Sequence, residues 1–165
     1  MEVRIERIKE KEVPHISSHY TEWIMRLFPE YPESVRKKMV EKYYNGKHLL
    51  ETVKVNGIVL VAYLGKETVG MLVTYPPLGG LSYAPWLMVG SSFQGRGIGK
   101  SLLKRWEEEA KKQGCHNLRV EADHRNVGFY EKMGFTLIGL EKKGYFGTDN
   151  YLFQKIIAEP DEEKF

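Results

Sequence analysis

The sequence lacks the features that mark several broad classes of protein. Cys115 is the only cysteine among 165 residues, which excludes an intrachain disulfide and a cysteine-based metal cluster, and the histidines show no metal-ligand spacing. No apolar run approaches membrane-spanning length, and the amino-terminal stretch MEVRIERIKEKE has no apolar segment of signal-peptide length. We therefore predict a cytoplasmic protein with no metal and no membrane contact.

A strong charge of one sign is also lacking. The 25 basic and 22 acidic residues are spread along the chain and leave a net charge of +3, which gives no reason to expect a nucleic-acid partner. The apolar content of 42% and the charged content of 28% are near the globular average. At this length we predict a single domain over residues 1–158, followed by a frayed tail over residues 159–165.

Hydrophobic periodicity predicts helices and strands in a definite order. The first part of the chain predicts a strand, two helices and an antiparallel hairpin, at residues 3–8, 14–28, 35–43, 58–64 and 68–75. Asn45 and Gly46 act as a stop signal after the second helix, and residues 49–55 receive no assignment.

The second part of the chain predicts a strand, a long helix and a further strand. Residues 81–89 form a strand in which Pro85 removes a ladder donor and favours a bulge or an edge position. A helix starts at Ile98, and the strand at 118–122 should run parallel to the strand before the helix. A brief helix through Phe129 and Tyr130 and a closing hairpin at 135–140 and 150–157 complete the order.

A glycine-rich turn lies between the strand ending at Val89 and the helix starting at Ile98. Its sequence is Gln94, Gly95, Arg96, Gly97, Ile98, Gly99. Consecutive backbone amides at a helix amino terminus can converge on an anion, and glycines permit the close approach. Phosphate is the natural ligand, with Arg96 and Lys100 adding charge.

Two familiar phosphate loops fit this turn poorly. Gly99, Lys100 and Ser101 match the end of a Walker-type nucleotide loop, but Gln94 stands where that pattern needs its first glycine. Glu121 follows at the distance of the ribose-binding acid in a dinucleotide fold, but Lys100 replaces the third glycine of that fingerprint. Each of the two patterns therefore lacks one of the glycines that it requires.

The turn and a second motif together resemble the GCN5-related N-acetyltransferase (GNAT) superfamily. Gln94 to Gly99 fits the signature of that superfamily after its fourth strand, and Asn126 followed by the run FYEKMGF, from Phe129 to Phe135, fits a second motif. The resemblance implies one α/β (α+β mixed) domain with a mixed, mostly antiparallel twisted sheet of six to seven strands. A central parallel pair of strands splays to hold coenzyme A, and about four helices flank the sheet.

The resemblance also implies acetyl-CoA as cosubstrate and a set of contacts to it. The pantothenate arm is expected on the main chain of Leu87, Met88 and Val89. The remaining expected contacts are Gln94, Gly95, Arg96, Gly97, Ile98, Gly99, Lys100, Ser101, Asn126, Phe129 and Tyr130. By the same resemblance, Tyr130 lies beside the sulfur and gives its phenolic proton to the departing thiolate.

Three titratable residues lie beside the predicted cleft, on the side where the acceptor amine would bind. Glu121, Asp123 and His124 follow one another at the carboxyl end of the strand beside the cleft, and each is a candidate general base. The first two helices and the closing hairpin should form the acceptor pocket, which would be rich in aromatic residues.

We therefore predict an enzyme that transfers an acetyl group to a primary amine by direct attack in a ternary complex. A small-molecule acceptor is favoured over a peptide or protein amine. The alternative is a non-catalytic module that binds acyl-CoA as a sensor, and the possibility of a homodimer is left open.

Overall fold

The computed structural model describes residues 2–164 and contains eight strands and five α-helices within them. Met1 of the predicted domain and Phe165 of the predicted tail lie outside the described residues. The helices are α1 (Val13–Leu27), α2 (Glu33–Lys42), α3 (Gly46–Lys54), α4 (Ile98–Lys112) and α5 (Val127–Lys132). The strands are β1 (Val3–Arg7), β2 (Val59–Leu64), β3 (Glu67–Val73), β4 (Leu81–Ala84), β5 (Trp86–Val89), β6 (Asn117–Ala122), β7 (Thr136–Glu141) and β8 (Asn150–Ile156).

The strands form two four-stranded sheets, and residues 81–89 pass from the second sheet to the first. The first sheet has the order β1-β2-β3-β5, and the second has the order β4-β6-β8-β7. Pro85 separates β4 from β5, because a proline offers no N–H to a ladder. The predicted irregularity at Pro85 is thus confirmed, and it divides the strand predicted over residues 81–89 between the two sheets.

Only the first half of that predicted strand has the expected parallel partner. β4 pairs in parallel with β6, whereas β5, which directly precedes the glycine turn, pairs antiparallel with β3. The two halves diverge at Pro85, so a cleft opens between β5 and the carboxyl end of β6. The predicted mixed α/β fold class is confirmed, with eight strands because one predicted strand becomes two.

Alternation along β2 builds a core on each face of the first sheet. Val59 and Val61 belong to the cluster that contains the buried residues of α1, and Leu60 and Ala62 belong to the cluster that contains those of α4. Helices α1 and α4 therefore cover opposite faces, and both hold β5 in place.

Residues 49–55, to which the sequence gives no assignment, lie mostly in α3, a helix additional to the four predicted ones. Asn45, the predicted stop signal after the second helix, is also the amino-terminal cap of α3, since its Oδ1 accepts from Lys47 N and His48 N at 3.1 and 3.3 Å. The predicted tail contains one short 3-10 turn, Glu162–Lys164. No helix within residues 2–164 is long and apolar enough to cross a membrane.

Candidate active site

The edge of β5 presents backbone groups to the cleft. Gly90 N–H donates to the Val69 carbonyl at 3.0 Å, and antiparallel alternation then directs the N–H and C=O groups of Leu87 and Val89 away from β3. The Val89 carbonyl accepts from Gln94 Nε2 at 3.1 Å, which fixes the start of the glycine turn. Of the three residues predicted to hold the pantothenate arm, Met88 has its backbone facing β3.

The glycine turn leads directly into α4. Gly95 and Gly97 have φ of 75° and 79°, a region that favours glycine, and nothing lies within 4 Å of a Cβ built on either residue. Gly97 is the amino-terminal cap of α4 and supplies no capping side chain. The first-turn amides of α4 therefore remain available to an anion, and the exposed Arg96 and Lys100 are close in the chain to add charge.

The first turn of α4 lies against α5. A Cβ on Gly99 would come within 3.2 Å of the Phe129 ring, so a larger side chain would separate the two helices. This contact links the two predicted motifs, although Gly99 and Phe129 are 30 positions apart in the chain. Ser101 is exposed on α4, and Asn126 is in the 3-10 turn before α5.

These features fit the pyrophosphate and pantothenate of coenzyme A. The free edge of β5, the glycine turn with open space beside Gly95 and Gly97, and the uncapped start of α4 follow one another directly along the chain. The glycine turn would hold the pyrophosphate, and Leu87 and Val89 would hold the arm that carries the thioester. The residues present thus suit the predicted cosubstrate.

Coenzyme A bound in this way would follow a path from the glycine turn along the edge of β5. Tyr130 lies at the end of this coenzyme A path, where it lines a cleft together with Leu87 and Asn126. Its ring packs against Phe129, Phe135 and Phe153. Burial raises the pKa of Tyr130 above its ordinary value, so the phenol keeps its proton at neutral pH. A protonated hydroxyl held in a rigid aromatic cluster can serve as a proton donor.

Glu121 lines the same cleft and is half-buried at the end of β6. Burial, followed by the charge of Glu141, raises the pKa of Glu121, while the Tyr83 hydroxyl and Arg119 lower it in part. Its carboxylate makes no ion pair within 4.0 Å among residues 2–164. A carboxylate with a raised pKa and no ion-pair partner is suited to accept a proton.

Asp123 also lines the cleft but is engaged by Arg125. Burial alone would raise the pKa of Asp123, and hydrogen bonds from Arg125 outweigh that effect, so the pKa is lowered. Arg125 Nη2 also lies 2.8 Å from Glu30 Oε2, which ties the segment after α1 to the 3-10 turn that follows β6. His124 is exposed, with Nδ1 3.3 Å from Asp123 Oδ2. The three predicted bases therefore differ, and Glu121 has the surroundings that suit a base best.

Aromatic side chains close the acceptor side of the cleft. The hydroxyls of Tyr44, Tyr75 and Tyr145 lie 3.3 to 3.4 Å from one another. Phe146 packs against Tyr31 and Tyr44, with ring centroids 6.1 and 6.5 Å apart. These contacts join the segments after α1 and α2 to the turn between β7 and β8, as expected for the predicted aromatic acceptor pocket.

Several lining residues were not singled out from the sequence. Glu30 lies between Pro29 and Pro32, in the break after α1, and Tyr83 and Asn150 belong to strands of the second sheet. The prolines were the one signal that pointed to an irregular segment beside the site. Within residues 2–164, no group of three or more His, Cys, Asp or Glu side chains is placed to hold a metal ion.

The central part of the chain is similar to a known family of proteins. The family described as "Acetyltransferase (GNAT) domain" matches residues 55–137, which contain β2 to α5 and both motifs. A glucosamine 6-phosphate N-acetyltransferase of Trypanosoma brucei brucei is 33% identical over 49 residues, 30% of this chain and 33% of that protein. The N-alpha-acetyltransferase RimI of Mycobacterium tuberculosis (strain ATCC 25618 / H37Rv) is 30% identical over 108 residues, 59% of this chain and 68% of that protein.

A solved structure shows the same fold over nearly the whole chain. The PaiA N-acetyltransferase from Thermoplasma acidophilum, in complex with coenzyme A, superposes with a TM-score of 0.79 at 19% identity. The match covers 94% of this chain and 99% of that one. The chain belongs to the GNAT acetyltransferase family. The predicted class, an acetyl-CoA-dependent N-acetyltransferase, is confirmed at the level of the family.

Proposed function

We propose that this protein transfers the acetyl group of acetyl-CoA to a cationic primary amine, with Glu121 as proton acceptor and Tyr130 as proton donor. One observation carries the proposal: a carboxylate with a raised pKa and a buried, protonated phenol line the same cleft, at the end of the coenzyme A path. Asp123 and His124 remain alternative bases, but each is engaged with a neighbour.

The two residues divide the proton transfers that the reaction needs. Acetyl-CoA, when bound, supplies the thioester carbonyl that the amine attacks and the thiolate that departs. Glu121 takes a proton from the acceptor ammonium, directly or through water, because only a neutral amine is nucleophilic. The Tyr130 hydroxyl holds the proton for the departing sulfur, and the free N–H groups of β5 are positioned to stabilise developing negative charge.

The cleft favours a small acceptor. The contacts of Tyr31 and Tyr44 with Phe146 cover one side of it, so an extended peptide has less room than a compact molecule. The charges favour a cation, because Glu30, Glu121, Asp123 and Asp149 line the cleft and no lysine or arginine among residues 2–164 does. The names of the two relatives point to a sugar amine and to an α-amine.

An amine panel tests this proposal. Release of the coenzyme A thiol is measured with acetyl-CoA and, in turn, amino sugars, amino alcohols, amino acid amides, polyamines and peptides. We expect amine-dependent release with at least one small cationic amine, and slower release with every peptide. Background release with the whole panel, in a protein that binds acetyl-CoA, would contradict the proposal.

A further inference from the structure

Two nitrogen donors in the wall of the acceptor cleft have no hydrogen-bond partner among the described residues. Trp86 is 4% exposed and Asn150 is 5% exposed, and neither Trp86 Nε1 nor Asn150 Nδ2 has an acceptor. Both residues line the cleft that holds Glu121 and Tyr130. Because buried N–H groups are rarely left without an acceptor, these two point to an atom that arrives with a ligand.

Asn150 lies on the same face of the second sheet as Glu121. Asn150 and Leu152 lie two residues apart in β8, and Leu152 is directly opposite Glu121 in the pairing of β6 with β8. Side chains two residues apart share a face of a sheet, so Asn150 and Glu121 lie on the same face. Asn150 Oδ1 lies 3.4 Å from Thr148 Oγ1, which leaves Nδ2 as the unengaged end of the amide.

Trp86 approaches the same cleft from β5. Its ring lies between Phe28 and Tyr44, with centroids 4.8 and 4.9 Å away in edge-to-face arrangements. These neighbours fix the plane of the indole but offer no oxygen to Nε1. A ligand atom that accepts from Nε1 would meet a donor whose orientation is already set.

The charge of the cleft limits what this ligand atom can be. Glu30, Glu121 and Asp123 line the cleft, and Arg125 is occupied by Glu30 and Asp123. A carboxylate on the acceptor would therefore meet net negative charge without a free cation to pair with. A neutral oxygen can accept from both nitrogen donors without that repulsion.

We propose that the amine acceptor carries a neutral oxygen, a hydroxyl or an amide carbonyl, that accepts hydrogen bonds from Trp86 Nε1 and Asn150 Nδ2. This inference rests on the proposed function, because it names a part of the acceptor in that reaction. It favours amino sugars, amino alcohols or amino acid amides over aliphatic polyamines, which contain no oxygen, and over free amino acids, which carry a carboxylate.

Matched substrates test the inference with the wild-type protein. Each amino alcohol is compared with the alkylamine that has methyl in place of hydroxyl, and each amino acid amide with its free acid. We expect kcat/KM to be about tenfold or more higher for the member with the neutral oxygen. Better turnover of hydroxyl compounds identifies a sugar-like acceptor and better turnover of amides a peptide-like one, and either result supports the inference.

Two variants connect the preference to the two donors. Trp86→Phe removes the indole N–H but keeps an aromatic ring, and Asn150→Leu removes the amide but keeps the branched shape. In each variant, the ratio of the two kcat/KM values in a matched pair of substrates should fall by about tenfold and approach a value of one. Two matched controls lie outside this cleft: Trp23→Phe in α1, and Asn117→Leu at the end of β6 that is remote from Glu121. Both should leave the ratio unchanged.

The outcomes separate this inference from the proposed function. Equal turnover within every matched pair, a preference for alkylamines or spermidine, or an unchanged ratio in both variants would overturn the inference alone. Absence of turnover with every amine, while calorimetry shows acetyl-CoA binding, would overturn the proposed function as well. If both variants fail to fold, as judged by melting temperature, the wild-type ratios still decide.

Discussion

The two sides of the cleft recognise their ligands with different parts of the chain. The cofactor side, formed by the edge of β5, the glycine turn and the start of α4, offers mainly backbone groups. The acceptor side offers side chains from distant segments, among them Glu30, Glu121 and Asn150. Backbone amides suit a ligand that is the same for every member of a family, whereas side chains can change with the acceptor.

The two sides also differ in how they are held. The cofactor side is local in sequence, since β5, the turn and α4 follow one another from Trp86 to Lys112. The acceptor side depends on contacts such as that between Arg125 and Glu30, which are 95 residues apart. Changes to the first should therefore act on acetyl-CoA binding, and changes to the second should act on turnover and on the acceptor.

The largest expected effect is that of Tyr130→Phe. Loss of the proton donor should lower kcat by about a thousandfold, because general acid catalysis contributes factors in that range. The ring still packs, so the dissociation constant for acetyl-CoA in calorimetry should change little. Tyr63→Phe in β2 removes a hydroxyl outside the cleft and serves as control. Full turnover in Tyr130→Phe would remove this hydroxyl from the chemistry.

Glu121→Gln should lower kcat/KM by about a hundredfold through loss of the base. In the wild type, Glu121 works only when deprotonated, and its pKa is raised. Activity should therefore fall as the pH decreases through this raised pKa, and the slope should be absent in Glu121→Gln. Glu141→Gln removes a charge that raises the pKa of Glu121, so it should move the slope to lower pH. An unchanged profile in both variants would assign the base elsewhere.

A pair of glycine variants compares the two sides directly. Gly97 in the glycine turn and Gly147 in the turn before β8 have φ of 79° and 81°, and neither has an atom within 4 Å of a Cβ position. Alanine at either position should reduce the free energy of unfolding by about 1 kcal/mol. Only Gly97→Ala should also raise the dissociation constant for acetyl-CoA, by about tenfold. Equal acetyl-CoA affinity in the two variants would argue against backbone recognition at the turn.

The smallest expected effect is that of Arg125→Gln. This substitution releases Glu30 and Asp123 from their shared partner and loosens the segment after α1. KM for the acceptor should rise a few fold while KM for acetyl-CoA stays constant. Because the ion pairs are partly exposed, the free energy of unfolding should change by less than about 1 kcal/mol. A rise in KM for acetyl-CoA instead would contradict the division between the two sides.

The sequence contains most of the information about the cofactor side. The periodicity from Ile98 and the glycines predicted α4 and its amino terminus with unpaired donors. Pro85 predicted a bulge or an edge at the point where the strand in fact divides. The FYEKMGF run added Phe129 and Tyr130. These signals are local, because a turn, a helix start and a helix face are each determined by residues close together in the chain.

The acceptor side required the structure. Whether Asn150 shares a face with Glu121 depends on the register of β6 with β8, which no local pattern reports. Glu30 reaches the cleft because the segment after α1 lies beside the 3-10 turn that follows β6, and this depends on tertiary packing. Asn45 is a second example. It follows α2 and also caps α3, and the sequence indicated only the end of α2.

One measurement tests the central claim most directly. The protein is mixed with acetyl-CoA that carries an isotope label in the acetyl group, together with the amine panel, and the products are analysed by mass spectrometry. We expect the label on the nitrogen of an amine that also bears a neutral oxygen, with far slower labelling by Tyr130→Phe and Glu121→Gln. Tight binding of acetyl-CoA with every amine left unlabelled would contradict the account.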